Sequence, residues 1–345
     1  MITAPTIIQP FCIIYPFFES YPDQYKHLNL WNLVELHQFV PPQFYLLIMT
    51  KINSDTTQVS TAKTDARDSR TWEQIREHYE IEQELARQLM NSTREERINQ
   101  HLYTHVYNQL FQKVSHHPQL TRKSSPEIQT WIVNQRLQLL ARFLNSEITY
   151  LEIGPGDCSL SLEVAKRVKR VYAVDVSTEI TKLPNIPDNM EIFISDGCSI
   201  PVPENTVNLA YSHQLMEHLH PDDALEQLEN IYNTLAANGK YICITPNWYS
   251  GPHDVSRHFD QQATGFHLKE YKLSEMYDIF KKVGFSQIIW VKSNGKIYLE
   301  IPINSISINV MKLVEYLLNI FPYKFRQKLA NTPLLFRGMT IIGYR

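Results

Sequence analysis

Only four cysteines (Cys12, Cys158, Cys198 and Cys243) occur in 345 residues, and no two form a C-x-x-C pair. Such scattered thiols exclude a disulfide framework and a cysteine zinc site, and they fit a reduced, cytoplasmic setting. No run is long and apolar enough to span a bilayer. The opening I-I-Q-P-F-C-I-I-Y-P-F-F is short, lacks a basic flank and is broken by Pro10 and Pro16, so it is not read as a signal peptide. A basic excess is missing too: 33 Lys and Arg stand against 36 Asp and Glu, for a formal net charge of -3. Without a basic patch interleaved with aromatics, nucleic acid is not an expected partner. There are no internal repeats. The length suits one large or two ordinary domains with an ample core.

What is present centres on Ile148 to Val168, I-T-Y-L-E-I-G-P-G-D-C-S-L-S-L-E-V-A-K-R-V. Ile148 to Ile153 is a short apolar run with β-branched and aromatic residues, the pattern of a buried strand. The run breaks at Gly154-Pro155-Gly156. Leu160, Val164 and Val168 then follow at helical spacing, with Asp157 or Ser159 placed to cap the helix. Strand, glycine turn and helix N-terminus together build a nucleotide site in an open α/β sheet. Charge narrows the ligand. A dinucleotide sets its pyrophosphate on the helix N-terminus and wants a third glycine, but Ser159 stands there. Glu152 and Asp157 flank the turn and would repel a pyrophosphate. They suit a ligand with a cationic end and no phosphate, such as S-adenosylmethionine (AdoMet).

Around this stretch the chain divides. Residues 1–60, rich in proline and aromatics and without a helical or strand period, are expected to be a loose or spurious extension, and the native start is expected at Met49. Residues 68–145 read as helical. Thr71-x-x-Gln74 and Thr93-x-x-Glu96 have capping-box spacing. Trp72, Ile75, Tyr79, Ala86 and Leu89 share one helical face, as do Ile98, Leu102, Val106 and Leu110 on a second helix. Ser125-Pro126 opens a third, carrying Ile128, Ile132, Leu139 and Phe143. From 146 to 345 strands and helices alternate. Strands are expected at 171–175, 191–196, 207–212, 240–245, 285–291 and 338–344, with helices from about 221, stopping at Asn238-Gly239, and at 274–282. That order implies a doubly wound, mostly parallel seven-stranded sheet with covered faces.

Acidic residues recur at the strand ends. Asp175 closes the second strand about twenty residues after the turn, where a carboxylate meets a ribose diol. Asp196-Gly197 closes the third, where a carboxylate can accept from an adenine amine. Ser212-His213-Gln214-Leu-Met-Glu217-His218 follows the fourth. These stretches should converge on one crevice. The residues L-E-I-G-P-G-D, Y-A-V-D-V-S, I-S-D-G, S-H-Q-L-M-E-H-L, L-A-A-N-G-K and C-I-T-P-N together resemble the class I AdoMet-dependent methyltransferases, in the broad group that includes ubiquinone- and menaquinone-biosynthesis-type enzymes. The resemblance spans roughly residues 120–345. It implies a Rossmann-like sheet with an antiparallel last strand. It further implies Glu152, Gly154 and Gly156 at the methionine end of AdoMet, Asp175 at the ribose, Asp196 with Gly197 near the adenine, and His213 between cofactor and acceptor; Asp157 joins the cofactor-binding set by its charge beside the turn. A helical insertion at about 304–337 departs from the family pattern.

Methyl transfer to a hydroxyl is helped by a general base, and histidine is tuned for that role near neutral pH. The stretch after the fifth strand, from Pro246 to Tyr271, holds His253 beside Asp254, then His258 and His267, and reads as a lid. His253, oriented by Asp254, is the first candidate base, followed by His267 and His213. Trp248, Tyr249, Phe259 and Phe266 suggest an apolar or aromatic pocket for a small-molecule, aromatic or lipid-like acceptor. No metal set is read: His116-His117 has no further ligand at metal spacing and reads as a turn or pocket wall. Val310, Leu313, Val314, Leu317, Leu318 and Phe321, followed by Lys324, Arg326 and Lys328, form an amphipathic stretch. Residues 306–328 therefore either touch a membrane or lipid-like substrate or cover the sheet edge. Two other classes stay open, an NAD(P)-dependent oxidoreductase and a non-catalytic AdoMet-binding protein.

Overall fold

A computed structural model describes residues 70–118, 126–176, 183, 185–293, 298–333 and 335–345. The extension at 1–60, the Met49 start and the Ser125 cap lie outside these residues.

Nine α-helices are described: α1 (Trp72–Asn91), α2 (Arg94–Ile98), α3 (Leu102–Lys113), α4 (Pro126–Leu140), α5 (Ser159–Ala165), α6 (Pro221–Thr234), α7 (Leu273–Val283), α8 (Ser305–Asn319) and α9 (Tyr323–Ala330). Both expected capping boxes form, Thr71 with Gln74 and Thr93 with Glu96. The second helix of the sequence reading is two. His101 sits in the left-handed region at φ 56°, which ends the run from α2 and restarts it as α3. On α4, Leu137, Leu139 and Leu140 are buried, whereas Ile128 and Trp131 are exposed.

The strands are β1 (Thr149–Ile153), β2 (Arg170–Asp175), β3 (Met190–Ile194), β4 (Val207–His213), β5 (Leu235–Thr245), β6 (Gln287–Ser293), β7 (Tyr298–Ile303) and β8 (Met339–Tyr344). They form one sheet in the order β3-β2-β1-β4-β5-β8-β6-β7. Pairing is parallel from β3 to β5; β8 runs antiparallel to β5 and β6, and β7 antiparallel to β6. The sheet therefore has eight strands, not seven. The added β7 is an edge strand, the one place where Pro302 costs no ladder hydrogen bond, and its proline and exposed Leu299 hide the usual alternation. The central strands are buried on both faces, as a parallel sheet requires. One core joins β1, β4 and β5 to α1, α3, α6 and α7. The other, with Leu140, Leu160 and Val164, lies under α4 and α5.

Helix α6 ends at Thr234, before Asn238-Gly239, and Leu235 already pairs with Val207. The next pairs, from Leu209 with Lys240 onward, have shifted register, so the A-A-N-G segment is a bulge within β5. The strand order reverses between β1 and β4. Their carboxyl ends open the crevice where such sheets bind ligands.

Candidate active site

The glycine turn after β1 is shaped by backbone. Gly154 (φ 69°) and Gly156 (φ 61°) adopt the left-handed conformation, which a side chain strains. A Cβ at Gly156 would meet nothing within 4 Å, so the turn presents bare main chain to the crevice. Gly156 N–H donates to Asp175 Oδ2 at 3.3 Å, which ties the end of β2 to the turn. Asp157 Oδ1 accepts from Ser159 N–H at 3.0 Å, a local turn just before α5; the N-cap position itself is Cys158, in the left-handed conformation and without a side-chain cap, so neither Asp157 nor Ser159 is the cap. Glu152 is buried, and its carboxylate accepts from Ser161 Oγ at 2.5 Å. Burial, against the pull of Ser161 and Arg136, pushes its carboxyl up to about 7. These residues fit a nucleoside with a cationic amino-acid end: open backbone at the turn, one carboxylate at the end of β2, and further acids beside the turn.

The adenine-side candidates are more occupied. Asp196 Oδ1 accepts from the Cys198 and Ser199 backbone N–H groups, and Oδ2 from Ser199 Oγ. This local turn holds its pKa below the ordinary carboxylate value despite burial. Gly197 (φ 103°) lies under Tyr103 of α3, whose ring would touch an added Cβ at 3.3 Å. At the end of β4, His213 Nδ1 accepts from Arg136 of α4 at 3.4 Å. Burial and then the Arg136 charge push His213 down to about 4, so its imidazole is neutral at working pH.

The lid candidates gather on a residue that the sequence reading left without a role. Glu270 Oε1 accepts from His267 Nδ1 at 2.8 Å, from His253 Nδ1 at 3.2 Å and from the His253 backbone N–H at 2.7 Å. Asp254, expected to orient His253, instead accepts from the backbone N–H groups of Ser256, Gly265 and His267 and shapes the loop. The orienting carboxylate is Glu270, seventeen residues on, because the loop folds back across itself. Burial alone would raise the Glu270 pKa, but the two imidazoles outweigh it and bring it to about 2. His267 is the mirror case. Burial lowers it, yet Glu270, Glu217 and Asp254 together lift it to about 9, so positive charge is favoured there. Glu217 is fully buried at the foot of this group, and burial pushes it up to about 7.

The loop is pinned from two sides. Phe259 packs between Trp72 and Tyr79 of α1, and Tyr79 donates to Asp260 at 2.8 Å. Glu82 of α1 accepts from the Phe266 N–H. From the other side, Gln327 and Asn331 donate to the carbonyls of Gly251 and Ser250, and Arg326 lies over the Trp248 ring. The four aromatics therefore split: Tyr249 and Phe266 are buried, while Trp248 and Phe259 dock the loop. His117 packs edge-on to His78 in a buried cluster with Glu82, a neighbour its spacing did not announce. Two signals were readable: His78 and Glu82 at i,i+4, and Glu270 three residues after His267. Arg136 had none, because only tertiary packing brings α4 to β4.

Residues 151–243, which run from β1 through the turn and acidic strand ends into β5, match the family model described as a methyltransferase domain. With the strand order and the glycine turn, this stretch is a class I AdoMet-dependent methyltransferase domain, and AdoMet is its cofactor. No curated protein matches the chain. Similar solved structures include a SAM-dependent methyltransferase from Archaeoglobus fulgidus, at 19% identity over 62% of this chain and 93% of that one, with a TM-score of 0.42. Another is an S-adenosylmethionine-dependent methyltransferase from Mesorhizobium loti, at 11% identity over 61% and 98%, TM-score 0.41. At these scores the overlaps carry no functional information.

Proposed function

We propose that this enzyme moves the methyl group of AdoMet to a hydroxyl of a small-molecule acceptor. What supports a hydroxyl is the Glu270–His253 pair, a carboxylate-oriented imidazole at the strand-end loop. AdoMet, when bound, supplies the electrophilic methyl and its own leaving group. The chain's own task is alignment, exclusion of water and removal of one proton. In this reading Gly154 and Gly156 admit the methionine end, with Glu152 and Asp157 facing its ammonium and Arg136 its carboxylate. Asp175 accepts from the ribose hydroxyls, and Asp196 with Gly197 borders the adenine. His213, neutral and held by Arg136, lies between cofactor and acceptor. His253 takes the acceptor proton, and Glu270 steadies the imidazolium. His267, whose Nδ1 is held by Glu270 at 2.8 Å, is a second partner of that carboxylate and not the base. A cytoplasmic setting accords with the buried, unpaired Cys158, Cys198 and Cys243.

Calorimetry with AdoMet and NAD, on the wild type and Asp175→Ala, tests the cofactor assignment. AdoMet binding lost in the variant, with no response to NAD, is expected. Release of S-adenosylhomocysteine with phenols or catechols but not with amines supports the hydroxyl reading, and the reverse preference overturns it.

A second reading concerns α8. Ile308 and Leu318 face the protein, but Ile306 (78% exposed), Val310, Leu313 (56% exposed), Tyr316 and Leu317 do not. One face therefore covers the protein, and the exposed apolar face is what supports a contact with a lipid surface or lipid-like substrate. Among the described residues no helix is long and apolar enough to cross a membrane, so this face would lie on a surface and not span it. Leu313→Ser with Leu317→Ser is expected to release the protein from sedimented anionic vesicles. Wild type left in the supernatant would remove the lipid contact.

A further inference from the structure

We propose that Glu217, His218 and His267 bind one divalent transition-metal ion, of the zinc or iron(II) type, on the acceptor side of the crevice. One donor atom from each residue lies within 4.8 Å of the others. Donors about 2.1 Å from a shared ion stand roughly 3.4 Å apart in a tetrahedral site, so modest side-chain rotations close the set. Two imidazoles and one carboxylate suit such an ion, and they leave coordination positions open.

Two details beyond proximity point to a cation. Glu217 is fully buried, yet only one of its oxygens is used: Oε2 accepts from Thr245 at 2.9 Å, and Oε1 has no hydrogen-bond partner. A buried idle carboxylate oxygen calls for a ligand. Both rings are also set for ligation. His218 Nδ1 donates to the Phe266 carbonyl at 2.9 Å, and His267 Nδ1 to Glu270 at 2.8 Å. Each bond places the proton on Nδ1 and leaves the Nε2 lone pair for the ion, the outer-shell arrangement common to histidine metal ligands.

The second histidine–carboxylate cluster makes an informative contrast. His78 accepts from Arg70 at 2.6 Å and donates to Glu82 Oε1 at 2.7 Å, while the Glu82 carboxylate also accepts the Phe266 N–H. Its hydrogen bonds are made, and it ties α1 to the loop. The Glu217 set has its outer bonds made and its inner atoms waiting. Glu217 and His218 follow β4, and Thr245 ends β5, so the open positions of the ion would face an acceptor oxygen next to the His253–Glu270 pair.

Apoprotein prepared with a chelator and titrated with cobalt(II) tests the site. Wild type is expected to give visible ligand-field bands that saturate at about one ion per chain. Glu217→Gln should abolish them, and Glu270→Gln, which loosens His267, should weaken cobalt affinity roughly 10–100-fold. Glu82→Gln should leave the bands unchanged. AdoMet calorimetry on each variant reports folding, and it fails separately if the cofactor assignment is wrong. Wild type without bands, or Glu217→Gln with bands like those of wild type, overturns the site.

Discussion

Gly239 shows how a single atom can matter without any chemistry. A Cβ there would stand 2.7 Å from the Ala236 carbonyl and 2.8 Å from that of Val207, both rigid backbone at the β5 bulge. Gly239→Ala is expected to cost about 1–3 kcal/mol, as overpacking does, read as a lower denaturant midpoint with AdoMet affinity retained once folded. His253 is the opposite case, a side chain left 32% exposed, with Glu270 on Nδ1 and the Ser250 hydroxyl 3.3 Å from Nε2. His253→Ala is expected to slow turnover by roughly 10²–10⁴-fold while AdoMet binding by calorimetry stays unchanged. Equal losses in turnover and cofactor affinity would move His253 from base to structural support. The sequence named His253 but chose the wrong partner, since adjacent Asp254 turns its oxygens to backbone amides and distant Glu270 turns to the ring.

At the scale of elements, α1 is held to the loop by Glu82. Burial disfavours its charge, but the His117 imidazole 3.7 Å away and His78, hydrogen-bonded at 2.7 Å, outweigh it and pull its pKa to about 2. The folded value lies below the ordinary 4.5, so this contribution is complete above about pH 4.5 and is lost as pH falls towards 2. It amounts to roughly 3 kcal/mol by that difference. His117 acts in the same direction, because burial holds its pKa below the ordinary histidine value and its protonation opposes folding. Melting temperatures at pH 7, 5 and 3.5 are therefore expected to fall more steeply for wild type than for Glu82→Gln. Parallel pH profiles would show that Glu82 is not the sensor. The capping boxes of α1 and α2 were legible because caps are local. The break between α2 and α3 was not, since His101 is an ordinary residue in an unusual backbone conformation.

For the whole molecule, the N-terminal helices and the sheet are joined by a buried ion pair. Arg97 of α2 donates to both Asp223 oxygens, one at 2.9 Å, and Tyr103 of α3 donates to the same carboxylate at 2.6 Å. Both charges are almost fully buried. Asp223→Asn leaves the guanidinium unpaired and is expected to cost about 3–5 kcal/mol in urea unfolding. Limited proteolysis should then cut first between α1 and α3. A loss under 1 kcal/mol would mean that the helices are held by apolar contacts alone. Because Tyr103 also covers Gly197, the same variant is expected to weaken AdoMet binding.

The sequence by itself determined what rests on neighbours a few residues apart. The glycine turn, the acidic strand ends, the alternation of strand and helix and the capping boxes of α1 and α2 all follow from short-range backbone and side-chain preferences, and they sufficed for seven of the eight strands and the cofactor class. Only the tertiary structure decided which carboxylate meets which histidine. Glu270 with His253, Glu82 with His117, Arg136 with His213, and Glu217 and His218 with His267 are set by chain crossings between strand-end loops and packed helices. It also revealed β7, whose edge position excuses a proline that elsewhere would forbid a strand. Burial did the rest, since it is the loss of water around these groups that turns ordinary acids and imidazoles into a site.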